Sequence, residues 1–251
     1  KGKRVEVDPI GDLFNHREFG NNRIRHLFLD SITDTQQERH LFCPYGFLDD
    51  SWFHRSYWVY GKYFLGGWNG YYMAGKYMPA GRILVHDKEN VYGYGRRQQY
   101  FKWTTPMEYQ LFSTSKSLNI NTVKIKGNRR KKRDQLGPEP MPYRWNNTIP
   151  LLVRGMVKAD RTLFISGPPD FVDEEEIQKH FTDSLAQANL HKQQDALEGK
   201  EGGMLWAIDA ENGTVLSQYR TDAPPVWDGL IAADNKLFMA SMDGSVVCWG
   251  K

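Results

Sequence analysis

The side chains best suited to binding a ligand lie in an aromatic segment between residues 41 and 112. This segment holds 21 of the 34 Phe, Trp and Tyr residues of the chain. Flat rings stack on sugars and peptides, while cationic side chains fix the orientation of such ligands. We therefore predict a carbohydrate- or peptide-binding platform formed by Trp52, His54, Arg55, Trp58, Trp68 and Arg82. The alternative interpretation is that the rings pack between structural units, which is the commoner use of aromatic clusters.

Motifs for catalysis are missing from the sequence. It contains no Gly-x-Ser-x-Gly, His-Glu-x-x-His or Cys-x-x-Cys-His motif, and none of its seven histidines lies four residues from another. Two acidic groups, Asp49-Asp50 and residues 173–176, carry the oxygen ligands that hard cations prefer. The first is typical of a turn, and the second is typical of the first turn of a helix, where carboxylates offset the dipole. We assign no catalytic or metal-binding residue, and the sequence favours a protein that is not an enzyme.

The composition narrows the class of protein further. The 251 residues are 40% hydrophobic and 25% charged, with a net charge of +3. No apolar run is long enough for a transmembrane helix, and the many aromatic residues exclude disorder of the whole chain. Two cysteines, Cys43 and Cys248, exclude a disulfide scaffold. A net charge this small does not by itself indicate nucleic-acid binding.

Short strand patterns with tight turns predict the elements that would position these residues. Residues 229–249 read as three strands joined at Asp234-Asn235 and at Asp243-Gly244, residue types that supply the positive φ of hairpin turns. Residues 155–166 align without gaps on 229–240, and a third copy begins at residue 82. A weaker fourth copy lies near His40. The sequence therefore predicts repeated antiparallel meanders.

Each interval between the three clear copies contains an insert. The copies begin 73 and 74 residues apart. Residues 115–141 form a basic insert carrying Arg129-Arg130-Lys131-Lys132-Arg133, which we interpret as a solvated loop that could dock on an acidic partner, and not as a nucleic-acid site. Residues 173–200 form a helical insert, with a one-faced amphipathic pattern at Ile177, Phe181, Leu185 and Ala188.

Removal of the inserts leaves repeats of about 46 residues, the length of a four-stranded propeller blade. The predicted fold class is therefore all-β, a β-propeller of four-stranded antiparallel blades. About four to five blades fit in this chain, together with one helical insert near 173–200.

The last repeat resembles the Ala-x-Asp-x-x-Thr-Gly phrase of PQQ-like β-propeller proteins. The resemblance rests on residues 205–216, in which Asp209 and Gly213 would build a turn. In that family a Trp four residues after the Gly docks neighbouring blades, and Ser217 stands at this place. Asp228 and Gly229 end a phrase similar to the inter-blade segment. Further similar phrases are found at 49–58, 79–85 and 167–170.

The resemblance implies a bacterial, periplasmic or secreted repeat protein that acts as a non-catalytic binding or assembly scaffold. It divides the chain into a lead-in segment, 1–36, and a partial propeller, 37–251, whose missing blades would come from elsewhere in the protein or from a protein partner. PQQ and calcium are not expected, because Cys43 and Cys248 cannot form the vicinal disulfide of quinoprotein dehydrogenases. The alternative is part of a quinoprotein-like or other propeller enzyme with catalytic residues outside this chain.

Overall fold

The computed structural model describes residues 40–42, 58–61, 79–97, 109–117 and 141–250. Their strands form four sheets. The first sheet contains β1 (His40–Phe42), β2 (Trp58–Gly61) and β3 (Ala80–Gly81). The second contains β4 (Ile83–His86), β5 (Asn90–Arg96), β6 (Tyr109–Ser115) and β7 (Tyr143–Asn147). The third contains β8 (Gly155–Ala159), β9 (Thr162–Gly167), β10 (Gly203–Asp209) and β11 (Val215–Thr221).

The fourth sheet contains β12 (Pro225–Ala233), β13 (Lys236–Ser241) and β14 (Val246–Trp249). Two helices, α1 (Glu174–Lys179) and α2 (Ser184–Leu197), lie between β9 and β10. In every sheet, strands that follow one another in the chain are antiparallel neighbours. The prediction of a mostly β chain with repeated antiparallel sheets is confirmed. The three clear repeats begin just before β4, at the start of β8 and within β12, which are the first strands of the second, third and fourth sheets.

The predicted hairpin turns are confirmed in the fourth sheet. Asp234 and Asn235 have φ values of 50° and 58°, and Ala233 pairs with Lys236 across them. Gly244 has a φ of 85°, and the Asp243 carboxylate accepts a hydrogen bond from the Ser245 amide at 2.9 Å. Local turn chemistry therefore sets the register of this sheet.

Successive sheets pack face to face, because alternate residues of each strand point to opposite faces. In β10, Trp206 and Ile208 join a core between the second and third sheets, whereas Leu205 joins a core between the third and fourth. Similarly, Leu111 of β6 faces the third sheet and Phe112 faces the first. The sheets are thus stacked in chain order with a separate core at each junction.

The second and third sheets are joined by the last strand of the second. The buried indole of Trp145 donates a hydrogen bond through Nε1 to the carbonyl of Ala210 at 3.0 Å, in the turn between β10 and β11. Asn147 donates to the carbonyl of Gly213 in the same turn at 2.8 Å. Gly213 has a φ of 77°, and a Cβ atom there would lie 2.8 Å from the Trp145 ring. The turn therefore requires glycine both for its backbone conformation and for indole packing.

The predicted single helical face at 173–200 is wrong. The helical conformation is interrupted at residues 180–183, between α1 and α2, so the two helices do not share one hydrophobic stripe. Phe181 and Leu185 are 61% and 73% exposed. The α2 face that packs on the sheets contains Ala186, Gln193 and Ala196. Gln193 fixes this contact by accepting a hydrogen bond from the Phe171 amide at 2.7 Å and donating one to the Pro169 carbonyl at 3.2 Å.

The acidic run at the start of α1 has the structural role expected from the sequence. Asp173 is the N-cap residue of α1, and its carboxylate accepts a hydrogen bond from the Glu176 amide at 2.9 Å. Carboxylates at this end of a helix satisfy free amides and offset the dipole. Asp49-Asp50 lies outside the described residues.

Candidate functional site

Two of the six predicted binding residues lie in the described part of the chain. Trp52, His54, Arg55 and Trp68 fall outside it. Trp58, on β2, is partly buried and packs against the core between the first and second sheets. This contact is compatible with the packing interpretation, and a binding role for Trp58 stays a prediction. Arg82 lies just before β4, next to aromatic residues from two other strands.

Arg82 lies close to two aromatic rings. Its guanidinium carbon lies 5.2 Å from the centre of the Trp227 ring and 5.9 Å from the centre of the Tyr109 ring. Its Nη1 donates a long hydrogen bond of 3.4 Å to the Tyr109 hydroxyl. Both rings are within the distance at which a cation is attracted to an aromatic face. Arg82 from the second sheet and Trp227 from the fourth are thereby brought together.

A second arginine, Arg154, lies at the corresponding end of the third sheet. Its Nη2 donates to the carbonyl of Leu197, the last residue of α2, at 2.9 Å. Its Nη1 lies 2.7 Å from the Met242 sulfur, a weak acceptor. Burial lowers the pKa of Arg154, and the positive charge of nearby Arg82 lowers it further. Among the described residues, no carboxylate forms an ion pair with Arg154.

The start of β12 completes this region. Asp228 has a φ of 57°, and its amide donates to the Arg154 carbonyl at 2.7 Å. Partial burial raises the pKa of the Asp228 carboxyl. This bulge interrupts the pairing of β12 with β13 between Pro225 and Leu230, and it carries Trp227 at its centre. A positive φ in a residue with a Cβ is a local strain that the backbone bond to Arg154 holds in place.

Two tyrosines support the cluster from the second sheet. The rings of Tyr94 and Tyr109 stack at 5.1 Å with an angle of 11° between their planes. The Tyr94 hydroxyl donates to the Leu151 carbonyl at 3.2 Å, and burial raises its pKa well above its usual range. At neutral pH this hydroxyl therefore stays protonated and serves as a hydrogen-bond donor.

We call Arg82, Tyr109, Arg154 and Trp227 the arginine cluster. Its groups are guanidinium donors and flat rings, which suit the orientation of an anionic ligand with an apolar part. The described residues do not bring together three His, Cys, Asp or Glu side chains that could hold a metal ion. Neither helix of the described part is long and apolar enough to cross a membrane.

The residues assigned to turns at the sequence level lie in two places. Asp209 closes the turn between β10 and β11, accepting hydrogen bonds from the amides of Glu211 and Asn212 at 2.7 and 3.3 Å. Gly213 ends this turn, which Trp145 contacts. Asp228 and Gly229 lie in the bulge of β12, beside the arginine cluster.

Sequence reasoning missed Arg154, Tyr109, Trp227 and Trp145. The repeats offered a signal for two of them. Arg154 directly precedes the second repeat, just as Asp228 precedes the third, so charged residues recur where the first strand of a sheet begins. Trp145 lies 72 residues before Ser217, close to the repeat spacing. Trp145 pairs with Ser113 next to a register shift in the second sheet, and Ser217 pairs with Ala207 next to a register shift in the third sheet. Trp145 and Ser217 therefore occupy equivalent positions in the two sheets.

Comparison of the chain with protein-family models and with curated protein sequences gives no match.

Proposed function

We propose that this chain is a non-catalytic binding and assembly module built of consecutive β-propeller blades, and that it binds a carboxylate-bearing ligand at the arginine cluster. The observation that carries the proposal is the convergence of three sheets on one place. Arg82 comes from the start of the second sheet, Arg154 from the start of the third and Trp227 from the start of the fourth.

The stacking of the sheets supports the propeller part of the proposal. Antiparallel meanders that follow in chain order and pack face to face are the arrangement of propeller blades. In such a ring the blades surround a central channel. The resemblance of residues 205–216 to the PQQ-like repeat favours the same architecture and an exported protein.

The outer face of the fourth sheet supports the assembly part. Ile231, Phe238 and Cys248 are register partners on the face opposite the Leu230 and Met239 core. Ile231 is 62% exposed, although the same strand alternation buries both faces of the second and third sheets. An apolar row of this kind marks a surface for a further blade or a protein partner.

The chemistry of Arg154 favours a carboxylate ligand. A guanidinium has five N–H donors, and the described partners of Arg154 are one carbonyl and one thioether. The positive charge of nearby Arg82 adds to the electrostatic attraction for an anion. The Trp227 ring adds a flat surface for an aromatic or sugar ring. A peptide carboxylate and an acidic sugar both meet these requirements.

Calorimetric titration with N-acetyl-Gly-Phe and with its carboxamide tests the proposal. The two peptides differ only in the charged carboxylate, so we expect the acid to bind and the amide to bind at least about tenfold more weakly. Arg154→Gln should abolish the preference for the acid while the protein stays folded by circular dichroism.

The matched control is Arg161→Gln. Arg161 is 76% exposed and pairs with Glu211 at 3.5 Å, away from the cluster. Its replacement should leave the titration unchanged. Equal binding of acid and amide, or no binding of either, would contradict the proposed ligand class.

A further inference from the structure

A second charged surface lies at the opposite end of the second sheet from the arginine cluster. At the end of the sheet that carries the arginine cluster, Arg82 precedes β4 and Tyr109 begins β6. At the opposite end, Lys88 follows β4 and Ser115 ends β6. Between these far ends lies an open groove of about 640 Å³, which is within the range of roughly 300–1,000 Å³ for ligand sites. We call it the lysine groove. The charged and hydroxyl-bearing residues that line it are Lys88, Glu89, Ser115, Lys116, Ser117 and Arg144.

Backbone hydrogen bonds fix the walls of the lysine groove. The Lys116 amide donates to the Glu89 carbonyl at 2.7 Å, which ties the end of β6 to the turn between β4 and β5. That turn is itself closed by Asp87, whose carboxylate accepts from the amides of Glu89 and Asn90 at 2.8 and 2.7 Å. The shape of the groove is therefore set before a partner arrives.

One cation of the groove is oriented by its neighbours. The Lys116 ammonium lies 3.0 Å from His86 Nδ1 and 5.6 Å from the centre of the Tyr60 ring. Tyr60 and His86 in turn contact each other with ring centres 6.0 Å apart. These contacts connect Lys116 to the first sheet and keep its charge at the rim of the groove.

The charge of the lining is strongly positive. Lys88, Lys116 and Arg144 are opposed by one acidic residue, Glu89. Lys88 and Arg144 are exposed, and neither forms an ion pair among the described residues. Like charges in one groove repel each other, and an anionic partner relieves this repulsion and is attracted at longer range.

We propose that the lysine groove binds an acidic peptide segment of a protein partner. The ammonium and guanidinium groups and the hydroxyls of Ser115 and Ser117 can donate hydrogen bonds to the carboxylate oxygens of such a peptide. Single-stranded nucleic acid is the less suitable ligand, because the lining has no aromatic ring on which bases could stack. This surface is separate from the arginine cluster, so its occupancy does not depend on the ligand proposed there.

Fluorescence anisotropy with a fluorescein-labelled hexaglutamate peptide tests this inference on the whole chain. We expect binding that weakens when the salt concentration rises from about 0.05 M to about 0.3 M. The double variant Lys88→Glu with Arg144→Glu should weaken binding by about tenfold or more, because two attractions become repulsions. Both residues are exposed, so circular dichroism should show an unchanged fold.

The control is Arg220→Glu, which reverses an exposed charge on β11, outside the groove, and should change the affinity by less than about twofold. The inference is overturned if hexaglutamate does not bind, or if the double variant binds it like the unmodified chain. It is also overturned if hexathymidylate binds more tightly than hexaglutamate. The inference is overturned as well if a variant with serine at each of residues 129–133 alone abolishes binding, because the basic run of the insert would then be the site.

Discussion

The junction between the second and third sheets and the junction between the third and fourth sheets are held in different ways. At the first, side chains make directional hydrogen bonds across the junction, from Trp145 to Ala210, from Asn147 to Gly213 and from Tyr94 to Leu151. At the second, a smaller apolar core around Leu230 and Met239 dominates.

The two junctions differ in how rigidly they hold the sheets. Directional bonds to backbone carbonyls fix the second and third sheets in one geometry. The third and fourth sheets meet through the Leu230 and Met239 core and through the backbone hydrogen bond from the Asp228 amide to the Arg154 carbonyl, and Arg154 of the arginine cluster lies at this junction. We infer that the hydrogen-bonded junction supports the arginine cluster, because the Tyr109 and Trp227 rings pack against its core, whereas Arg154 joins the cluster from the second junction.

The largest expected effect is that of Trp145→Ala. The substitution removes a buried ring and its hydrogen bond to Ala210, so we expect the free energy of unfolding to fall by about 3–5 kcal/mol in urea titrations. Trp145→Phe is the matched variant, because it keeps a ring and loses the N–H donor. A loss below about 1 kcal/mol for the alanine variant would contradict the importance of this junction.

At the other junction, Met239→Ala should have the next largest effect. Met239 is fully buried, and its sulfur lies 3.3 Å from Ser166 Oγ of the third sheet. We expect the free energy of unfolding to fall by about 2–3 kcal/mol in the same titrations. The substitution leaves a cavity in the core, but it does not remove a hydrogen bond to a backbone carbonyl as Trp145→Ala does. A loss larger than that of Trp145→Ala would reverse the order of the two junctions.

Gly213→Ala tests the close packing of the Trp145 indole against the turn between β10 and β11. Alanine at a φ of 77° costs about 1–2 kcal/mol by backbone strain, and its Cβ would press on the Trp145 ring. Gly244→Ala is the control, because Gly244 has a φ of 85° and open space around it. The difference between the two thermal denaturation curves measures the contact with Trp145. Equal losses of stability in the two variants would mean that the packing of the Trp145 indole does not require glycine at residue 213.

The smallest effect concerns Asp87, which also contacts the third sheet. Burial raises the pKa of Asp87, but hydrogen bonds from the Asn90 and Glu89 amides, from Lys158 and from Tyr92 outweigh it and lower the pKa from 3.8 to about 2. Its carboxylate lies 3.2 Å from the Lys158 ammonium. Asp87 therefore stabilises the fold above pH 3.8, and this contribution is lost as the pH falls towards about 2.

The measurement is the free energy of unfolding of the unmodified chain and of Asp87→Asn as a function of pH. Near neutral pH the variant should be less stable by about 1 kcal/mol or less, since an ion pair near the surface contributes little. The two curves should converge below pH 3.8. Parallel curves throughout would show that the charge of Asp87 does not link the sheets.

Much of the fold was predictable because its signals are local. Asp234-Asn235 and Asp243-Gly244 supply turn conformations that need no distant partner, so the strands of the fourth sheet follow from a few residues. The helical insert was also located correctly. Its buried face was not, because residues 180–183 interrupt the helix and reset the periodicity on which the prediction depended.

The candidate site was predictable to a much smaller degree. Arg82 was selected for its type and its place in the aromatic segment 41–112, but only one of its described aromatic partners, Tyr109, belongs to that segment, and the other is Trp227. Trp58, selected for the same reason, packs into a core. Residue type alone does not separate an aromatic ring that packs from one that binds, because both uses bury its flat surface.

By itself the sequence determined the strands, the turns, the repeat spacing and the positions of the inserts, since these depend on interactions within a few residues. Tertiary structure decided which side chains meet. Trp145 reaches a turn 65 residues away, and Arg82 reaches Trp227 across 145 residues. Such contacts form only when whole sheets stack, because the burial of alternate faces, and not any local signal, brings distant strands together.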